Sequence, residues 1–235
     1  MNKEIVIKTT AFCNEIFADK KDYELPSVYS YKHLPICVID SVFSIGVKYE
    51  IVENTINRFC EYYKIDKFSN SEELTTSDFL KLMKEPSIRE LTENIYQNRQ
   101  RTSTRSGILK SEAVILFLEV LQKFKIEKLS DVEKIITSEQ FEIEIKKIPG
   151  QNSGISLTYF FMLAGSDELI KPDRMIVRFL ENISGEKVSL NDCQLILVEV
   201  ANELKKSGFK ITPKKLDNLI WNYQRDVKPP VSADL

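Results

Sequence analysis

The chain has 235 residues, 43% hydrophobic and 29% charged, with 33 basic and 35 acidic side chains giving a formal charge of −2. That balance excludes a disordered polar chain and a uniformly basic coat for nucleic acid, while leaving room for a local cationic patch. Seven glycines and eight prolines are too few for a collagen-like or many-turned all-β protein.

Residues 4–8 (Glu-Ile-Val-Ile-Lys) fit a strand or a helix. Residues 34–47 are apolar nearly all round, which predicts a buried central helix with Pro35 in its first turn. Asp40 lies inside it, and a buried carboxylate needs a partner or a function. His33, the lone histidine, is expected to cap or pack there rather than to bind metal. Val52, Ile56, Phe59 and Tyr63 share one face of an amphipathic helix. Between Ile95 and Ser111, Arg99, Arg101, Arg105 and Lys110 meet no acid. Such a loop either contacts phosphates and base edges or is simply solvated.

Residues 113–124 predict a second apolar helix. Ser130-x-x-Glu133 and Ser189-x-x-Asp192 have the form of N-terminal capping boxes. Residues 141–145 alternate briefly, as a strand or a helix end would. Thr212-Pro213 signals a last helix running through Trp221, and Pro229-Pro230 keeps the tail 227–235 extended. The expected architecture is all-α, with about ten helices.

Cys13, Cys37, Cys60 and Cys193 form no C-x-x-C pair. They read as free thiols in a reducing compartment, without a zinc knuckle or iron–sulfur ligands. Residues 1–4 open no apolar signal region, and the longest apolar stretch is too short to span a bilayer. A cytoplasmic protein without membrane contact is expected.

Residues 137–180 read as helix, tight polar turn, apolar helix, glycine stop, short loop, helix. The turn Pro149-Gly150-Gln151-Asn152-Ser153-Gly154 is rich in residues that tolerate positive φ. It opens onto a helix N-terminus, where N–H groups and the helix dipole favour an anion. The turn carries no cationic side chain, so main-chain donors would do most of the holding. Asp173, taken alone, reads as a helix cap for residues 175–180.

This segment resembles the helix-hairpin-helix DNA glycosylase superfamily. Ile148-Pro149-Gly150 before a small-residue helix matches its hairpin, and Pro172-Asp173-Arg174-Met175-Ile176-Val177-Arg178 matches its catalytic-aspartate motif. Fourteen residues separate Gly150 from Gly165, and Asp173 lies eight further on, as in the family. The resemblance covers roughly residues 33–183 and is strongest over 148–178. It implies two helical subdomains with the active-site cleft between them. Residues 34–165 would form a helical barrel that includes the hairpin, about 138–164. Residues 1–33 and 166–235 would form a second subdomain carrying Asp173.

The departures are specific. The lysine that bifunctional members carry four residues after the hairpin glycine is Gly154 here, so no Schiff base is expected at that position. Asn152 replaces the second hairpin glycine, Gly46 stands where some members use a wedging glutamine, and the iron–sulfur loop is absent.

The resemblance implies a monofunctional DNA glycosylase that flips a damaged or modified base from duplex DNA and leaves an abasic site. It would act in repair or against phage DNA with hypermodified bases. The Asp173 carboxylate would stabilise positive charge on the sugar. Gly150, Gln151, Asn152, Ser153, Gly154 and Ser156 would bind DNA, together with Arg99, Arg101, Arg105 and Arg174. Asp40, Ser44, Lys48, Tyr49 and Tyr159 would line the base pocket. Tyr159 sits in Tyr-Phe-Phe, which favours a core position over base stacking, and Trp221 is a further stacking candidate. No cofactor is expected beyond a monovalent cation at the hairpin, and the protein should act as a monomer. A non-catalytic DNA-binding module and an all-α interaction protein are the competing readings.

Overall fold

The computed structural model describes residues 3–69 and 73–226, apart from the side chain of Val28. The expected tail at 227–235 lies outside these residues. Eleven α-helices and no strand occur among the described residues, so the fold is all-α. The chain divides into two compact units, Met1–Pro26 with Ser166–Leu235, and Ser27–Gly165. They are called here the terminal and the central unit.

The terminal unit holds α1 (Lys3–Ile16), α9 (Arg174–Ser184), α10 (Leu190–Lys206) and α11 (Pro213–Asp226). Residues 4–8 are therefore helical; Ile5, Val6, Thr9 and Cys13 form the buried face of α1. Helix α9 is sharply amphipathic, burying Ile176, Phe179 and Leu180, and stops at Gly185 in the left-handed region. Ser189 caps α10 by accepting the Asp192 N–H at 3.1 Å. Thr212 accepts the Lys215 N–H at 3.2 Å ahead of Pro213. The core joins α1 to the three later helices through Phe17, Phe179, Leu197, Val200 and Ile220.

The central unit begins with α2 (Leu34–Phe43), every residue of which is buried. The predicted helix over 34–47 is shorter than expected. Ser44 caps it, its hydroxyl returns to the Ser41 carbonyl, and Gly46 turns the chain at φ +69. Next come α3 (Tyr49–Tyr63), α4 (Thr76–Lys84) and the single turn α5 (Ile88–Glu90), which runs into a π turn at Leu91–Ile95. Then follow α6 (Lys110–Lys123), a 3-10 turn at Leu129–Lys134, α7 (Glu139–Lys146) and α8 (Ile155–Leu163). Ser130 is not an N-cap. It lies inside the 3-10 turn, where Asp131 instead accepts the N–H groups of Glu127 and Lys128. The alternation at 141–145 is helical, because Phe141 and Ile145 share the buried face of α7.

Residues 27–33 belong with the central unit, not the terminal one, because Lys32 donates to Lys67 and His33 packs there. The His33 ring Nδ1 accepts the Leu74 N–H at 3.1 Å while Nε2 contacts the Asp66 carbonyl at 2.9 Å. Both ring nitrogens are thus engaged by backbone.

Candidate functional site

In the central unit, the glycine turn after α7 is held by its own backbone. Gln151 donates to the Ile148 carbonyl at 2.9 Å and Gly154 to Gln151 at 3.0 Å. The Gly154 N–H is therefore spent inside the turn. The N–H groups of Gly150, Asn152 and Ser153 donate to nothing among the described residues, and all three residues are exposed. Gln151 is buried, with both amide atoms unpaired. Ser156 is no phosphate ligand; it is buried and donates to the Ser41 carbonyl at 2.9 Å.

Gly150 lies at φ +90, and a Cβ there would sit 2.4 Å from Thr102 Cβ. The glycine turn is thus packed directly on the basic loop. That loop is held by its own hydrogen bonds, and Arg99, Arg101 and Arg105 are exposed to solvent. Thr102 donates to Ile108 and Lys110 to Gln100, each at 2.9 Å. Arg101 closes it with two hydrogen bonds to the Gly107 carbonyl, at 2.6 and 2.9 Å. Arg99 is paired with Glu93 at 3.2 Å, an acid just upstream of the acid-free run. Arg105 is exposed and makes no ion pair among the described residues.

A cation missed in the sequence also reaches the turn. A side chain at position 154 would begin 3.7 Å from Lys146 Nζ, which pairs with Glu142 at 2.5 Å. The turn's own sequence lacks a cation; α7 supplies one because its last turn ends beside the start of α8. A buried ammonium lies behind the loop. Lys110 Nζ donates to the carbonyls of Phe43 and Ile45, both at 2.8 Å, and to Gln100 Oε1 at 3.2 Å. It ties the end of α2 to the basic loop, and burial lowers its amine to about 8.

Of the expected pocket residues, the structure brings three together. Asp40 is fully buried on α2. Its Oδ2 accepts the hydroxyls of Tyr31 at 2.9 Å and Tyr49 at 3.3 Å. Tyr159 is buried beside the same cluster, close to Asp40, Tyr29, Tyr49 and Tyr31. Burial, and then the Asp40 charge, push the Tyr31 and Tyr49 hydroxyls far above the usual phenol range, so both stay protonated donors. Tyr29 and Tyr31 were missed in the sequence, although an interior carboxylate demands O–H or N–H donors nearby. Ser44 spends its hydroxyl on its own helix, and Lys48 is exposed at the start of α3.

The terminal unit holds Asp173. Its Oδ1 accepts the N–H groups of Met175 at 2.8 Å and Ile176 at 3.3 Å, so the carboxylate is fixed at the start of α9. Arg174 is exposed, whereas Arg178 bonds the Gln224 side chain at 2.8 Å and ties α9 to α11. Trp221 is half-buried on α11 under the Arg225 guanidinium. A second carboxyl, unforeseen in the sequence, belongs with Asp173. Asp217 is buried on α11, and its Oδ1 accepts the Lys171 N–H at 2.9 Å. Burial and the negative charge of Asp173 push Asp217 up to about 8.

Among the described residues no group of three or more His, Cys, Asp or Glu side chains is placed to hold a metal ion. No described helix is long and apolar enough to cross a membrane. A family model described as a domain of unknown function (DUF8548) matches residues 7–225. No curated protein and no solved structure matches the chain.

Proposed function

The chain belongs to the family described as a domain of unknown function, DUF8548, and we propose that it is a monofunctional DNA glycosylase of the helix-hairpin-helix kind. The observation that carries this reading is the packing of Gly150 on Thr102, with the cap at Asp173 following in the same segment. Exposed N–H groups at a helix start, the Lys146 ammonium and Arg105 suit a DNA phosphate together, and none of them reads sequence. The Asp40 carboxylate and its tyrosines offer a polar, aromatic setting of the kind that grips an extruded base. Extrusion costs a few kcal/mol, least for a damaged or mispaired base.

Breaking the N-glycosidic bond builds positive charge on the sugar. A carboxylate that is already oriented stabilises that charge without reorganising, which is the role assigned to Asp173. Two N–H groups donate to Asp173 Oδ1 and fix its orientation. Water then completes the hydrolysis, and the product is an abasic site. Gly154 offers no amine at the family's lyase position, so β-elimination of the strand is not expected.

One observation favours a second reading. Both hydrogen bonds of Asp173 Oδ1 go to its own helix, as they would in a purely structural cap. A DNA-binding module without chemistry would look the same at this residue. The deciding experiment incubates wild type and Asp173→Asn with duplexes carrying single altered bases, and with phage DNA rich in modified cytosines. An aldehyde-reactive probe reports abasic sites before any alkali treatment. Base release by wild type and none by the variant is expected. Salt-dependent duplex binding by both proteins with no release from any substrate would favour the binding module.

A further inference from the structure

Asp173 and Asp217 both hydrogen-bond the backbone of Lys171. The Asp173 N–H donates to the Lys171 carbonyl at 2.7 Å. The Lys171 N–H donates to Asp217 Oδ1 at 2.9 Å. A continuous relay therefore runs from Asp217 on α11, through residue 171, to the backbone of the capping residue. The stretch before α9 has one more such tether, the Ile170 N–H to Gln194 Oε1 at 2.8 Å. Asp217 lies in the interior of the terminal unit, where a carboxyl is costly unless it serves a purpose.

We infer that Asp217 is a positioning residue for Asp173: it holds the 171–173 backbone through the Lys171 N–H, so that the Asp173 carboxylate is aimed before substrate arrives. This rests on the role given to Asp173 above. Small errors in such aim are expensive, because a displacement of about 1 Å can cost about 100-fold in rate. A neutral Asp217 does this best. It still accepts the Lys171 N–H and adds no second negative charge beside Asp173.

The charged and titratable groups around Asp217 are few. Asp173 faces it from the start of α9, and Lys171 from the preceding stretch. Lys214, one turn earlier on α11, is buried and points its ammonium to Asp167 at 3.6 Å. Tyr23 reaches the next residue, Asn218, through its hydroxyl at 2.5 Å. Only Asp173 opposes the ionisation of Asp217 by like charge. Above pH of about 8 a second carboxylate would form and place a like charge beside Asp173.

The test compares Asp217→Asn, which keeps the acceptor but cannot ionise, with Asp217→Ala, which removes it. Two readouts are used: base release from the duplex that wild type cleaves, measured from pH 6 to 9.5, and amide hydrogen exchange at Met175 and Ile176. Asp217→Ala should lose about 10- to 100-fold in kcat with KM little changed. Its Met175 and Ile176 amides should exchange about tenfold faster or more. Asp217→Asn should match wild type at neutral pH and lack the fall in rate that wild type shows above about pH 8. Wild-type rates, pH profile and exchange in both variants would overturn the inference. Equal damage in the two variants would do so as well, since the acceptor survives in only one. If Asp173→Asn still releases base, the role given to Asp173 fails, whatever Asp217 does. If no substrate is found, the exchange comparison alone decides: amides loosened in Asp217→Ala and held in Asp217→Asn support the relay, and any other pattern rejects it.

Discussion

At the position of Asp173, one side chain serves structure and, on the proposed function, chemistry. The two uses separate cleanly by substitution. Asparagine caps a helix about as well as aspartate, whereas alanine forfeits about 1 kcal/mol. Asp173→Ala should therefore unfold at lower urea than wild type by that amount, while Asp173→Asn stays within about 0.5 kcal/mol. Loss of base release in the asparagine variant would then reflect the missing charge, since the fold is retained. Asp217 makes a second prediction. Its carboxyl is raised from 3.8 to about 8 in the folded protein. The unfolded chain thus gives up this proton first, and native stability falls as pH rises from about 4 to about 8. Asp217→Asn removes that slope. Urea midpoints taken at pH 5, 6.5 and 8 should decline less in the variant, and parallel declines would count against the raised value.

Among the elements, the glycine turn and the basic loop depend on each other. Gly150 combines a left-handed backbone with a contact that leaves no room for a methyl group. Gly150→Ala must strain the backbone and push Thr102 away, at a cost of about 3 kcal/mol or more. Chemical denaturation should show this, and duplex affinity should fall with it. The arginines of the loop are not equivalent. Arg101 is committed to the Gly107 carbonyl and Arg99 to Glu93, which leaves Arg105 as the loop arginine whose guanidinium makes neither a hydrogen bond nor an ion pair among the described residues. Arg105→Ala should lower the slope of log affinity against log salt by about 1 and leave stability unchanged. An unaltered slope would remove the loop from the DNA contact. Arg101→Ala should act mainly by loosening the loop, since its guanidinium already spends two donors on backbone.

For the molecule as a whole, the chain forms two units with separate cores, and each holds two of the four cysteines. Cys13 and Cys193 are buried in the terminal unit, and Cys37 and Cys60 in the central one. Burial also pushes the Cys13 thiol to about 12 and those of Cys60 and Cys193 to about 11, so almost no thiolate exists at neutral pH. The native protein should resist a thiol reagent that labels all four at once in denaturant. Mass spectrometry of the partly labelled protein then reports cooperativity. Pairwise labelling by unit would mean that the two cores open independently, and simultaneous labelling of all four would mean a single transition.

Much of the helical framework was legible in residue order because its causes are local. The 3.6-residue period places Val52, Ile56 and Phe59 on one buried face, and Ser189, Thr212 and Asp173 each cap the helix that follows. The glycines of the turn likewise mark where the backbone must enter the left-handed region. Where local signals compete, residue order is ambiguous: 141–145 alternates like a strand, yet i,i+4 burial makes it helix. What tertiary structure alone decided is which distant groups meet. Asp40 finds Tyr31 and Tyr49, Gly150 meets Thr102, Lys146 reaches the turn, and Asp217 holds the residue that Asp173 bonds. These contacts join residues from 8 to 48 positions apart, as with Lys146–Gly154 and Gly150–Thr102. No local pattern specifies them, because burial of apolar faces chooses which elements pack, and the polar side chains between those elements then pair with whatever donor or acceptor is carried in.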